Sequence, residues 1–165
     1  MPEWLLPGVR ACGTAGVSLA VFLGDGLLKR IAEQRLADGR TLRLAGGHIH
    51  IRLFHNPGVA LGALKKHPRA VLFINGGLLC AVAGAFAALI RHPKSAAAKL
   101  GLALMLGGGG SNFWDRLRRG YVTDYVSFDF GKRFARLSRI VFNCSDFGVF
   151  LGAALFGGWY SLRGK

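Results

Sequence analysis

From Ala70 to Ile90, between Arg69 and Arg91, the chain carries no charged side chain. No other feature constrains the fold as strongly. A helix needs about 20 consecutive apolar residues to cross the hydrocarbon core of a bilayer, and this run offers no polar face for the wet side of a soluble bundle. Three further apolar blocks accompany it. Val9 to Ile31 holds Asp25 and Lys29 near its far end, Ala96 to Phe113 holds Lys99 and the run Gly107 to Gly110, and Ile140 to Leu162 holds one acid, Asp146. The sequence therefore predicts a mainly α, polytopic membrane protein with transmembrane helices over 9–31, 70–90, 96–113 and 140–162. The first block is expected to be retained, because Arg10 is the one early basic residue and no small-x-small site closes the apolar run before Asp25.

The charges lie between the blocks. The chain has 22 Lys and Arg against 8 Asp and Glu, a net charge of +14. Such a balance raises nucleic acid as a partner, but the basic residues flank the spans and form no basic helix or aromatic-interleaved stripe, so anionic phospholipid head groups are the expected partner. Cys12, Cys80 and Cys144 each stand alone in an apolar segment, without CxxC spacing or a paired histidine, and read as small packing residues. His48, His50, His55, His67 and His92 are scattered, and neither a metal nor a cofactor is expected.

Four spans leave a short connector around His92 to Ser95 and two long loops, 32–69 and 114–139. Gly47 to Phe54 alternates in the manner of a strand with Ile49, Ile51 and Leu53 on one face, and Tyr121 to Phe130 repeats the pattern. An even number of spans puts both long loops on one side, so the two strand-like pieces are expected to meet in a small β element set over the helices of a single domain. The long loops also hold most of the Lys and Arg, which by a plain count of the positive-inside rule places them in the cytoplasm.

An ionisable group inside a span costs about 2.5–3.5 kcal/mol on insertion scales, so Asp146, about 10 Å past Arg139 at helical rise, calls for a partner or a function. A satisfied structural acid is an equally weighted reading. Asn143, one turn earlier, falls on the same helical face. Asp25 and Lys29 stand at i and i+4 and neutralise each other, a structural role. Ser111 to Arg116 closes the third span, with Trp114, Asp115 and Arg116 at the interface, and the glycines before it permit close helix packing. They do not read as a nucleotide loop, since no strand precedes them and no Lys-Ser or Lys-Thr follows. Asp124 lies on the same side, on the predicted strand edge. Composition and periodicity alone leave it an ordinary strand residue.

In this order the pieces resemble the bacterial lipoprotein signal peptidases, or signal peptidase II, over most of the chain. Asp25-Gly26-Leu27-Leu28-Lys29 is similar to the family's D-x-x-x-K, and Asn56-Pro57-Gly58-Val59-Ala60-Leu61-Gly62 to its N-x-G-x-A-F-G. Asn112-x-x-Asp115-Arg116, Gly120 and Tyr121-Val122-x-Asp124 are similar to G-N-x-x-D-R…G-x-V-x-D-F, and Phe142-Asn143-Cys144-Ser145-Asp146 to F-N-x-A-D.

The resemblance implies an aspartic endopeptidase with Asp124 and Asp146 as the catalytic pair. It also implies that Asn112 and Asn143 hydrogen-bond around them, that Asn56, Gly58 and Arg116 hold the substrate backbone, and that Asp115 gives support. No metal or cofactor is implied. The implied substrate is a diacylglyceryl-modified prolipoprotein cut before its lipidated cysteine, by a monomer in the bacterial cytoplasmic membrane. Its active site and β element would be extracytoplasmic and its termini cytoplasmic, against the charge count.

The chain departs from the pattern at Ser111, Leu61, Ser145 and Phe147, where Ser145 is expected to bond Asp146 and Phe147 to narrow the pocket. Two rivals remain, a small proton- or ion-coupled transporter using Asp25, Lys29 and Asp146, and a non-catalytic lipid-binding or assembly protein. Transporters usually carry more spans or internal repeats. The Tyr-Asp/Gly-x-Gly-Asp class of intramembrane proteases is excluded because the chain has no Gly-x-Gly-Asp.

Overall fold

The computed structural model describes residues 5–59, 63–92 and 95–163, with side-chain burial described from residue 13. The part of the Asn56 to Gly62 motif at Ala60, Leu61 and Gly62 lies outside these residues, as does the middle of the connector at 93–94. Four helices, α1 (Leu5–Leu36), α2 (Pro68–Leu89), α3 (Ala96–Arg119) and α4 (Cys144–Arg163), accompany four strands, β1 (Leu42–Leu44), β2 (Ile49–Asn56), β3 (Val122–Phe128) and β4 (Val141–Phe142). The strands form one antiparallel sheet in the order β1-β2-β3-β4.

Among the described residues one helix, α2, is long and apolar enough to cross a membrane, with a mean hydropathy of 2.0. Only 6% of that apolar stretch is buried in the protein, which is the reverse of a soluble core helix. Pro68 opens it at a position where the missing N–H costs nothing.

α3 is the central post, packed against α1, α2 and α4. Small residues let it approach so closely. A Cβ on Gly101 would stand 2.6 Å from the carbonyl oxygen of Gly152 in α4, and one on Gly108 would stand 2.5 Å from that of Ser145. Gly107 has the same relation to the Ser18 carbonyl of α1. Helices that lack a strong hydrophobic drive to associate rely on such close backbone contact.

α3 runs past the expected end at 113 to Arg119. Asp115 and Arg116 are buried and half-buried groups of its last turns, and the helix stops at Gly120, whose φ of 77° is the left-handed cap conformation and whose N–H bonds Arg116 O at 3.0 Å. α1 also runs on, from 31 to Leu36, and its last turns meet the sheet. There Ala32, Leu36 and Tyr125 form a buried cluster flanked by Ile51, Leu53 and Val126. The predicted apolar face of β2 thus packs on α1. Glu33 fastens the same junction, accepting from Thr123 Oγ1 at 2.8 Å and lying 3.0 Å from His55 Nε2.

The two expected strands are β2 and β3, paired with His50 opposite Ser127 and Phe54 opposite Asp124. β1 and β4 are additions. β4 occupies Val141 and Phe142, so the fourth helix begins at Cys144 and not at 140, and Asp146 sits in its first turn. Asp124 lies on an interior strand, not an edge strand, but β4 pairs with β3 only at Val126 and Ser127 and leaves the Asp124 end of that side open. The exposure of Cys80 and Cys144 does not fit the expected packing role.

Candidate active site

Asn143 is the residue before α4, and it closes the helix start. Its Oδ1 accepts the Asp146 N–H at 3.0 Å, while Asp146 Oδ2 accepts the Asn143 N–H at 3.0 Å. This reciprocal pair is a capping box with a carboxylate at the third helical position. The acid that looked expensive in a span is therefore at a helix N-terminus, where free N–H groups and the helix dipole favour negative charge.

Asp124 comes to the same place from β3. Its Oδ1 accepts Asn143 Nδ2 at 2.7 Å and its Oδ2 accepts Asn56 Nδ2 at 3.0 Å. One asparagine thus touches both acids, its side-chain amide on Asp124 and its backbone amide on Asp146. The Asp124 carboxyl is pushed up to about 7, first by burial and then by the negative charge of Asp146, against the opposing pull of the Asn56 and Asn143 donors.

Asn112 of α3 supplies the remaining clamp. Its Nδ2 donates to Asp146 Oδ1 at 2.9 Å, and its Oδ1 accepts from Asn143 Nδ2 at 3.0 Å and from Lys29 Nζ at 2.9 Å. An ammonium can only donate, so Lys29 fixes the oxygen side of the Asn112 amide and thereby points its NH2 at Asp146.

Lys29 is the hub beneath the acids. At 2% exposure it meets Asp25 at 2.8 Å, Asp115 at 3.0 Å and Ser111 Oγ at 3.1 Å. The expected Asp25–Lys29 pair is present, but it is one edge of a network joining α1, α3, β3 and α4. Ser111 Oγ donates to Asp25 Oδ2 at 2.6 Å, Asp25 Oδ1 accepts the Ser145 N–H at 3.2 Å, and Asp115 Oδ2 accepts the Thr123 N–H at 3.3 Å. Tyr125, which sequence reasoning passed over, accepts the Cys144 N–H at 3.0 Å and donates to Asp25 Oδ1 at 3.4 Å. Burial and the Asp25 charge keep its phenol protonated, well above the usual range. Its position next to Asp124 in sequence was the available signal.

Asn56, Gly58 and Arg116 form a second brace. Asn56 Oδ1 accepts the Gly58 N–H at 3.1 Å, and Arg116 Nη2 donates to Gly58 O at 2.8 Å. Of the departures, Ser145 does not bond Asp146: its Oγ is buried and, among the described residues, unpartnered. Phe147 does not narrow the pocket either; it is exposed and stacks edge-on to Phe128 at 6.2 Å.

A cavity of about 750 Å³ opens over the two acids. Asp124, Asp146, Asn112, Asn56 and Arg116 make its polar wall, and Leu78, Leu79 and Val82 of α2 with Met105 and Phe150 make an apolar one. Two carboxylates, braced on every oxygen yet each keeping acceptor capacity, at the polar end of an apolar groove, can polarise water against an extended apolar chain.

The comparisons with known proteins point the same way. A family model described as Signal peptidase (SPase) II matches residues 17–161. A lipoprotein signal peptidase of Moorella thermoacetica is 30% identical over 139 residues, covering 84% of this chain and 86% of that protein. One of Brucella ovis is 32% identical over 147 residues, covering 84% and 82% respectively. Among solved structures, a bacterial membrane enzyme determined by the in meso method at 2.3 Å resolution superposes with a TM-score of 0.73 at 21% identity, covering 87% of this chain and 84% of that one. A second, at 1.9 Å, gives 0.70 at 21% identity, covering 87% and 88%.

Proposed function

The chain belongs to the signal peptidase II family, a membrane peptidase that removes signal peptides from prolipoproteins, and from that premise we propose that Asp124 and Asp146 are its catalytic pair. The transporter alternative has no support in these relationships, and its proposed relay residues Asp25 and Lys29 are tied into a closed ionic network.

The observation that carries the proposal is the Asn143 bridge, which holds two acids from separate elements at one cavity wall. With Asp146 ionised, the shared proton resides on Asp124. Asp146 takes a proton from water as the water oxygen attacks the scissile carbonyl, while Asp124 gives its proton to the carbonyl oxygen. The tetrahedral intermediate then collapses as the proton from Asp146 passes to the leaving amine, and Asp124 recovers its own from the intermediate's hydroxyl. Arg116 and Asn56, which line the cavity, hold the substrate backbone along the way. The apolar wall takes the apolar residues of the signal peptide.

In this reading the chain is a single integral domain that crosses the bacterial cytoplasmic membrane four times. Its sheet and acids lie at the extracytoplasmic face, both termini are cytoplasmic, and it acts as a monomer among anionic phospholipids without metal or cofactor. The substrate is the diacylglyceryl-modified precursor, cut before the lipidated cysteine. The test is incubation of wild type, Asp124→Asn and Asp146→Asn with a lipid-modified prolipoprotein and its unmodified counterpart. Wild type is expected to cut only the modified precursor. Cleavage surviving in either variant sinks the pair, and equal cleavage of both precursors sinks the lipid requirement.

A further inference from the structure

The segment between β3 and β4 has no part in the chemistry above. From Gly131 to Arg139 it carries Lys132, Arg133, Arg136 and Arg139 and no acid. It folds as two short 3-10 turns, Lys132–Phe134 and Leu137–Arg139, pinned by its own bonds. Ser138 Oγ accepts the Phe130 N–H at 2.9 Å across the loop, and Asp129 Oδ1 accepts the Gly131 N–H at 2.8 Å. The four cations are exposed, and none is ion-paired among the described residues. Phe130, Phe134 and Leu137 are exposed among them, with the Arg133 guanidinium 6.0 Å from the centre of the Phe134 ring. Arg136 and Arg139 also line the cavity that holds Asp124 and Asp146.

We propose that this segment is a binding site for the head group of an anionic phospholipid at the mouth of the cavity. This rests on the membrane placement of the proposed function and adds a specific lipid ligand to it. The argument is one of charge and polarity together. Unpaired cations attract any anion, but a soluble phosphate or an acidic peptide gives no reason to interleave them with exposed phenylalanine and leucine. A lipid does, because its phosphate meets the cations while its acyl region covers the apolar side chains. The loop is fixed by Ser138 and Asp129 before any lipid arrives, so little ordering is lost on binding. Its position at the cavity rim puts that lipid beside an entering substrate.

The experiment measures the association of spin-labelled phosphatidylglycerol and spin-labelled phosphatidylcholine with the protein in phosphatidylcholine vesicles, by electron spin resonance. All proteins carry Asp124→Asn, so the readout is independent of turnover and stands even if the catalytic proposal fails. The parent is expected to prefer phosphatidylglycerol by roughly fivefold for each cation engaged. A variant with Lys132→Ser, Arg133→Ser, Arg136→Gln and Arg139→Gln is expected to lose most of that preference. The double variant Arg136→Gln/Arg139→Gln, a smaller disturbance of the loop, is expected to lose part of it and serves if the quadruple variant does not fold. A control with Arg40, Arg43, Lys65 and Lys66 changed to Gln removes the same charge from loop one and should keep the preference. No preference in the parent, an unchanged preference in the double variant, or an equal loss in the control would each overturn the site.

Discussion

Asn143 and Asp146 are bound to each other twice, each accepting the other's backbone N–H at 3.0 Å, while the Asn143 side-chain amide reaches out to Asp124 at 2.7 Å. The start of α4 and the bridge between the acids are thus one structure. A serine at this position can still cap the helix but cannot donate an amide to Asp124 and Asn112. Asn143→Ser is therefore expected to keep the melting temperature near wild type and to lower kcat by about 100-fold, the scale of a small misplacement of a reacting group. Asn143→Ala should lose kcat similarly and also about 1 kcal/mol of stability with the cap. Thermal unfolding in detergent beside a lipopeptide cleavage assay separates the two effects. A serine variant with wild-type kcat would show that the bridge does not matter.

The Asp124 carboxyl, at about 7, sets a pH dependence of definite sign. In the proposed mechanism cleavage needs its proton, so kcat is expected to fall as pH rises through about 7. Because Asn56 favours the ionised form, Asn56→Ala should move this alkaline limb to higher pH. Stability runs in parallel. Between its ordinary value of 3.8 and about 7 the folded protein holds a proton that the unfolded chain has released, so stability declines as pH rises across that window. Asp124→Asn removes the decline and should gain on wild type in melting temperature at pH 8 but not at pH 4. A pH-independent difference between the two proteins would contradict the burial argument.

Lys29 offers a test of the network beneath the acids. Lys29→Met leaves Asp25 and Asp115 buried without their cation, which should cost about 3–5 kcal/mol. Adding Asp25→Asn removes one of the stranded charges and is expected to restore part of the melting temperature. It should not restore kcat, because Asn112 has still lost the ammonium that orients its amide toward Asp146. Recovery of kcat along with stability would reduce Lys29 to a purely structural role.

The sequence made the four helical segments and the two long strands visible, because those elements are long enough for an apolar run or an alternation to stand out. It concealed what is short. β1 spans three exposed residues, and the Val141–Phe142 strand is hidden inside an apolar run that reads as continuous helix. α3 runs on past the apolar block to Gly120, and the burial of Asp115 and Arg116 was hidden because their partners, Lys29 and Gly58, come from distant parts of the chain. The site shows the same division. Motif order alone paired Asp124 with Asp146, whereas the cap that makes Asp146 tolerable depends on where α4 starts, which no periodicity reveals. Tyr125 had only its place beside Asp124 to mark it, and the role of Lys29 as a donor to Asn112 is a three-dimensional fact with no local trace.

The four consecutive glycines of α3 give a graded prediction, since they face different neighbours. A Cβ on Gly109 meets the end of the Leu79 side chain at 3.4 Å and one on Gly110 meets Phe22 at 3.6 Å, ordinary contacts with atoms that can move. On Gly107 and Gly108 the nearest atoms are backbone carbonyl oxygens, of Ser18 and Ser145, which cannot move without the whole helix. Gly109→Ala and Gly110→Ala are expected to be tolerated, or to stabilise slightly because alanine restricts the unfolded chain more than glycine does. Gly107→Ala should destabilise the packing of α1 on α3 by about 1–3 kcal/mol, as overpacked interfaces do, with a modest loss of rate. Gly108→Ala should do more, because Ser145 precedes Asp146 and a shift of the first turn of α4 moves that acid away from Asn112. The expected order of kcat is therefore Gly109 and Gly110 variants near wild type, Gly107 intermediate and Gly108 lowest. Measured in one cleavage series with melting temperatures alongside, a Gly108→Ala variant with wild-type kcat would show that α4 has room the structure denies it.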